Sequence, residues 1–312
     1  LSEDRVKGYR NFLNKLWNAN NFLITNNCDF SKIDKKPDLS ININKWIYAE
    51  LIKNKDKVEK NLMDYRFDEA AKNVYQFTWH SYCDWYLELS KTILFSDDEK
   101  AKDEVRQVSA YIFKQILILL HPFIPFITEE IWLNNKFDNL GKDFLMLTNW
   151  PSGEFEKDTS ISQVEKIIHI VSQLRSFKNE LSVSPGSFID ISIKDISKKE
   201  QLFFTENEII LKKLGRIKNL YNKDLDKPAA TFMVSGDLFK VYFDEDIDLE
   251  LIKKNLTKRQ NKYKEEMKKI SQRLENKSFV DKAPKDIVEQ EKNIYNNLKN
   301  DIDKISITIK GI

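Results

Sequence analysis

FDEAAKNVYQFTWHSYCDWYLEL, residues 67–89, decides the fold. Its aromatic and aliphatic residues fall on nearly every side of a helix, which predicts a helix from Asp64 or Phe67 to about Thr92 at the centre of a bundle. Working outward, residues 1–25 read as an amphipathic helix. Ser2, Glu3 and Asp4 suit the positive end of its dipole. Val6, Tyr9, Leu13, Leu16, Leu23 and Ile24 fall on one side of that helix and Lys7, Asn11, Lys15, Asn18 and Phe22 on the other. A break at 26–40 precedes a second helix, about Ile43–Leu62. A fourth runs from about Asp98 to Leu120. Pro122 and Pro125 then bend the chain before a short helix to Trp132.

Beyond Trp150-Pro151 the pattern changes. A helix over about Ile161–Leu181 leads to the turn Ser184-Pro185-Gly186 and the alternating FIDISIK, a strand. One helix is expected over Lys198–Leu214, then strands near Arg216–Tyr221, Ala230–Ser235 and Leu238–Phe243, with a hairpin turn at Ser235-Gly236-Asp237. From Leu249 the chain reads as an antiparallel coiled-coil hairpin. Its seam is Leu249, Ile252, Leu256, Tyr263, Met267, Ile270 and Leu274, answered by Ile287, Ile294, Leu298, Ile302 and Ile305. Ser278 to Pro284 forms the turn. Each arm is on the order of 40 Å long. The expected fold class is mainly α: an antiparallel helix bundle (1–158), a small α/β subdomain (159–247) and a C-terminal coiled-coil arm (248–312).

Composition narrows the function. With 312 residues, 41% apolar and 12% aromatic, the chain can bury real cores. Basic and acidic residues number 51 and 49, so net charge alone argues for no partner. No apolar run approaches the roughly 18 residues of a membrane span, and LSEDRVKGYR has no apolar signal core. Cys28 and Cys83 make no disulfide framework, and a cytoplasmic compartment is expected. The seven glycines build no GxGxxG, Walker loop or GxSxG. His80, His121 and His169 lie far apart, so no catalytic residue and no metal ligand is expected. His121-Pro122 reads as a helix-start turn and Cys83 as a small packing residue on the less apolar side of its helix.

Two surfaces suit nucleic acid. On the first helix, Phe22 follows Lys15 by two turns on an Asn-rich face, which fits base stacking beside a phosphate contact. Packing of Phe22 under the 26–40 loop is the competing reading. Glu88 falls on the inward side of its helix and needs a partner there, either a Lys or Arg or a nucleotide amino group. On the arm, Lys254, Lys258, Lys262, Lys269 and Arg273 form one stripe away from the seam. The segment 248–277 holds ten basic and five acidic residues. Such a stripe suits a phosphate backbone without sequence readout, or is an ordinary solvated coiled-coil face.

GYRNFLNKLWN (8–18), YRFDEAAKNVYQFTWHSYCDWYLE (65–88) and HPFIPFITEEIW (121–132) resemble the anticodon-binding region of class I valyl-tRNA synthetases. The likeness continues through VSQLRSFKNELSVSPG (171–186) to FVDKAPKDIVEQEK (279–292). It implies an anticodon-binding bundle and a tRNA-binding arm for valine tRNA, in a monomeric enzyme that joins valine to its tRNA with ATP and magnesium. The family's HIGH-type and KMSKS-type signatures are not in these residues, so no catalysis and no cofactor is expected of this stretch alone. The resemblance assigns Lys15, Asn11, Asn18, Asn21, Phe22, Leu87 and Glu88 to the anticodon, with Asn21 standing where the family often has a basic residue. It assigns Lys254, Lys258, Lys262, Lys269 and Arg273 to the outer corner of the tRNA. The alternatives are a helical scaffold whose coiled coil binds a protein, or the same region of an isoleucyl-type synthetase.

Overall fold

A computed structural model describes residues 3–31, 33, 35–137, 144–154, 158–181, 183–193, 196–223, 225, 228, 230–234, 237–243, 249–275 and 285–311. The expected turns at Ser235-Gly236 and Ser278 to Pro284 lie outside them. The chain divides into two compact units, 1–168 and 169–312.

The first unit is an all-helical bundle. Helix α1 (Glu3–Thr25) buries Phe12, Leu16, Ala19 and Leu23, a 4-3-4 spacing that places one stripe against its neighbours. This corrects the expected face. Tyr9 is 61% exposed and Ile24 is exposed, because the stripe centres on Phe12, whose ring packs 4.7 Å from Tyr75. Tyr9 instead lines an open cavity of about 550 Å³ with Phe12, Tyr75, Leu120, Phe123 and Ile124.

Helix α2 spans Asn42–Met63, and its N-cap residue Ile41 offers no side-chain acceptor. Glu104 supplies one from another helix, accepting from the backbone N–H groups of Ser40 and Ile41 and from Asn44 Nδ2, each at 2.9 Å. Asn44, itself fully buried, accepts from the Tyr86 hydroxyl at 2.8 Å, so the cap continues into the core as a satisfied polar network.

Helix α3 (67–94) is α-helical over Phe67–Gln76, π-helical over Phe77–Tyr86 and α-helical again over Leu87–Leu94. The wider π turn advances fewer degrees per residue than an α-helix, so faces assigned at about 100° per residue drift. Cys83 is buried as a packing residue, though on a side expected to be less apolar, and Glu88, expected inward, is partly exposed and pairs with Lys91, the kind of partner expected for it. Cys28 and Cys83 are free thiols that burial pushes up to about 12, and both stay protonated at neutral pH.

Helix α4 (Glu99–Leu120) starts at Asp98, whose carboxylate accepts from the Ala101 N–H at 3.0 Å. Every residue from Val108 to Leu120 is buried, making this stretch more enclosed than α3. Helix α5 (Pro125–Asn135) begins with Pro125 in its first turn and stops at left-handed Lys136, φ 54°. His121 is the expected turn residue, its Nδ1 lying 2.9 Å from Thr128 Oγ1. Helix α6 covers Thr159–Glu180.

The second unit holds a four-stranded sheet of order β2-β1-β4-β3. Strand β1 (Ile189–Ile193) pairs parallel with β2 (Ile217–Tyr221) and antiparallel with β4 (Asp237–Phe243). Strand β4 in turn pairs antiparallel with β3 (Ala230–Val234). The single helix expected over 198–214 is two, α7 (Lys198–Glu206) and α8 (Glu208–Gly215). Asn207 separates them by turning its Nδ2 back onto the Phe203 carbonyl at 2.8 Å, competing with the helical ladder.

Helices α9 (Leu249–Glu275) and α10 (Lys285–Gly311) form the antiparallel arm. Gln260 donates to Ser306 at 2.6 Å and Arg273 meets Glu291 at 2.7 Å, which fixes the register. Leu181, Val183, Ile252, Leu256 and Ile305 share one core cluster, so the base of the arm is anchored in this unit. The seam of α10 differs from expectation. Ile294 is 47% exposed, while Val288, Leu298, Ile302 and Ile305 are buried. Positions 288, 295 and 302, with 291, 298 and 305, keep the seven-residue spacing that faces α9, and Ile294 lies one step off it. Leu249, at the first turn, is also exposed. No helix among the described residues is long and apolar enough to cross a membrane.

Candidate nucleic-acid interface

Helices α1 and α3 meet in a constant register. Lys15 bonds Asp84, 69 residues later. Phe22 and Lys91 are separated by the same 69 residues, with Lys91 Nζ 5.6 Å from the Phe22 ring centre. The two helices therefore run parallel here, and seven-residue steps on each bring a strip of α1 onto a strip of α3. Lys15, Asn18 and Phe22 line one edge; Asp84, Leu87, Glu88 and Lys91 lie along the other.

At one end of the strip, Lys15 also stands 4.4 Å over the Trp79 ring. Trp79 belongs to a stack with Tyr75 and Phe12 at 5.7 and 6.2 Å. His80 Nδ1 lies 3.2 Å from the second oxygen of Asp84. At the other end, Phe22 is half-buried and Lys91 holds Glu88 at 2.5 Å. Asn11, Asn18 and Asn21 are exposed. Leu87 is 6% exposed, so its side chain supports the strip from within. Asp84, Lys91 and Trp79 escaped the sequence reading, although 84, 88 and 91 repeat the helical spacing of Lys15 to Phe22.

The arm presents a different surface. Lys254, Lys258, Lys262 and Lys269 are exposed on α9 and have no ion-pair partner among the described residues. Arg273, also exposed, is committed to Glu291 across the arm. Arg259, between Lys258 and Lys262 in sequence, is structural, because it donates to the Glu180 carbonyl at 3.2 Å and to the Tyr263 hydroxyl at 3.0 Å.

Lys178 anchors the sheet from α6. Its ammonium is buried and donates to the carbonyls of Ser187 at 2.7 Å and Gly215 at 3.1 Å. Burial, with Arg216 and Arg175 nearby, lowers its pKa to about 8. Among the described residues, no group of three or more His, Cys, Asp or Glu side chains is arranged to hold a metal ion.

Residues 44–193 match the anticodon-binding domain of tRNA ligases, and residues 248–312 match the valyl-tRNA synthetase tRNA-binding arm. The chain is 88% identical over 312 residues to a valine–tRNA ligase of Pelagibacter ubique, covering all of this chain and 36% of that protein. It is 33% identical over 314 residues to the valine–tRNA ligase of Bartonella quintana, covering 100% of this chain and 35% of the relative. Against the Zymomonas mobilis valine–tRNA ligase the figures are 31% over 318 residues, with 100% and 36% covered. The chain thus spans about a third of the length of the curated relatives it matches. With one domain match over residues 44–193, another over residues 248–312, and 88% identity along its full length, the chain belongs to the valyl-tRNA synthetase family.

Proposed function

We propose that this chain is the tRNA-recognition portion of a valine–tRNA ligase, whose whole enzyme attaches valine to its tRNA with ATP. The α1/α3 strip receives the anticodon loop, and the arm grips the outer corner where the D- and T-loops meet. The observation that carries the reading is the shared 69-residue register, which gathers Lys15, Asn18, Phe22 and Glu88 from two helices onto one accessible strip. Phe22 offers a ring face for an unpaired base, and Lys15 a cation for the adjoining phosphate. The exposed Lys254, Lys258, Lys262 and Lys269 supply a contact to phosphates that carries no sequence information.

The functional division is a bundle at 1–158, an α/β subdomain at 159–247 and the arm at 248–312. The partner is valine tRNA, the enzyme acts as a monomer in the cytoplasm, and ATP and magnesium serve its chemistry. The bundle and arm bind and orient tRNA. The protein-scaffold reading gains little from the arm. Its exposed apolar residues Leu249 and Leu251 lie at the start of α9, and Ile294 sits opposite residue 271, about 30 Å away at 1.5 Å per residue.

The test is binding of the chain to valine tRNA and to a tRNA with an altered anticodon across a salt series. Tighter binding to valine tRNA that persists as salt rises supports readout by the bundle. Equal and steeply salt-dependent binding leaves only a nonspecific arm.

A further inference from the structure

The charges on the α1/α3 strip cancel. Two lysines and two carboxylates face the same groove, and both lysines are already bonded, Lys15 to Asp84 and Lys91 to Glu88. Each ammonium also covers an aromatic face, Trp79 at 4.4 Å and Phe22 at 5.6 Å. A base cannot stack fully on Phe22 while Lys91 stands over it. The side chains of both pairs remain about one-third exposed, 28% and 36% for Lys15 and Asp84, 32% and 42% for Lys91 and Glu88. Pairs so open to water are weak and are broken at little cost.

We propose that Asp84 and Lys91 belong to the RNA site, and that recognition proceeds by exchange of these two ion pairs. This inference rests on the proposed anticodon reading. A nucleotide of the loop brings its phosphate to Lys91, which leaves the Phe22 ring open for the base. The released Glu88 then accepts from a base amino or imino N–H, a group that only some bases present in the right place. Lys15 and Asp84 repeat the arrangement one strip-length away, with Lys15 moving to phosphate. An RNA with the wrong base leaves the freed carboxylate without a donor and beside a phosphate, so the pairs stay closed. The carboxylates therefore act as brakes on nonspecific binding as well as acceptors for the correct base.

The experiment uses the whole chain with two RNA hairpins, the valine tRNA anticodon stem-loop and the same stem with a changed loop, over a salt series. Thermal melts confirm that each variant is folded. Lys91→Met is expected to weaken the valine hairpin several-fold and to lower the salt slope by about 0.7–0.9; Lys91→Arg restores both. Glu88→Gln, which releases Lys91, is expected to tighten the changed hairpin several-fold, so that discrimination between the two falls. Wild-type binding with discrimination, together with an unchanged slope in Lys91→Met or undiminished discrimination in Glu88→Gln, overturns the exchange while leaving the anticodon reading intact. A wild-type chain that binds neither hairpin overturns both.

Discussion

The ammonium of Lys15 bonds the carboxylate of Asp84 while standing 4.4 Å from the centre of the Trp79 ring. A residue that sequence presents as an isolated cation on a polar helix face is thus held between a carboxylate and an indole. Such a side chain must leave its carboxylate before it can serve a phosphate, and a pair so open to water releases it at little cost. Lys15→Met should reduce the salt slope of valine-hairpin binding by about 0.7–0.9 and weaken the valine loop more than the altered loop, on which the Lys15–Asp84 pair stays closed. A slope equal to wild type would remove Lys15 from the phosphate-binding groups.

Phe22 tests base stacking. Phe22→Ala is expected to cost about 1–3 kcal/mol of affinity, selectively for the valine hairpin, whereas Phe22→Tyr keeps the ring and most of the affinity. Equal losses for both hairpins would assign Phe22 to packing alone.

On the arm, replacing Lys254, Lys258, Lys262 and Lys269 by Ala should weaken every tRNA alike and lower the salt slope by about 0.7–0.9 for each phosphate no longer neutralised. Arg273→Ala differs, because Arg273 holds Glu291 across the hairpin. It should also lower the thermal stability of the second unit, read by circular dichroism, whereas the four lysine changes should not.

Glu104 gives a stability test remote from RNA. Burial works to raise its pKa, but the hydrogen bonds from Asn44, Ser40 and Ile41 outweigh it and hold the carboxyl below its ordinary value. A carboxylate lowered in the folded state stabilises above its unfolded pKa, and that contribution fades as pH falls through the folded value. Glu104→Ala should therefore cost about 1–3 kcal/mol in urea denaturation at pH 7. The deficit should shrink in acid, and a pH-independent one would deny the cap its charge.

Lys178 carries the opposite sign. Its folded pKa of about 8 lies below the ordinary value of 10.5, so the cost of burying the ammonium is fully present below about 8. Stability of the second unit should rise as pH climbs from about 8 toward 10.5, since the unfolded chain then binds more protons. Lys178→Met should remove this rise. It should also lower stability by about 1–3 kcal/mol at pH 7, because the Ser187 and Gly215 carbonyls lose their donor.

The helices of the bundle, the four strands of the sheet and the hairpin arm were legible in sequence, because each is a local pattern of apolar residues, breakers and caps. So were Lys15, Phe22 and the arm lysines, since polarity on a helix face is also a local property. Which way those faces point was not. The π-helical turns of 77–86 rotate Cys83 inward and Glu88 outward, and no periodicity assumed from an α-helix could register that. Asn207 broke a helix that its neighbours favour, through one side-chain bond to Phe203. Ile294 stands off the seam because the partner helix selects the heptad frame. Asp84 and Lys91 stood as ordinary charges until the α1/α3 register set them against Lys15 and Phe22. Sequence by itself determined which segments are helical, where they break and which residues carry charge or rings. Only the tertiary structure decided which of those residues meet, because the register between two helices is set by packing across positions tens of residues apart.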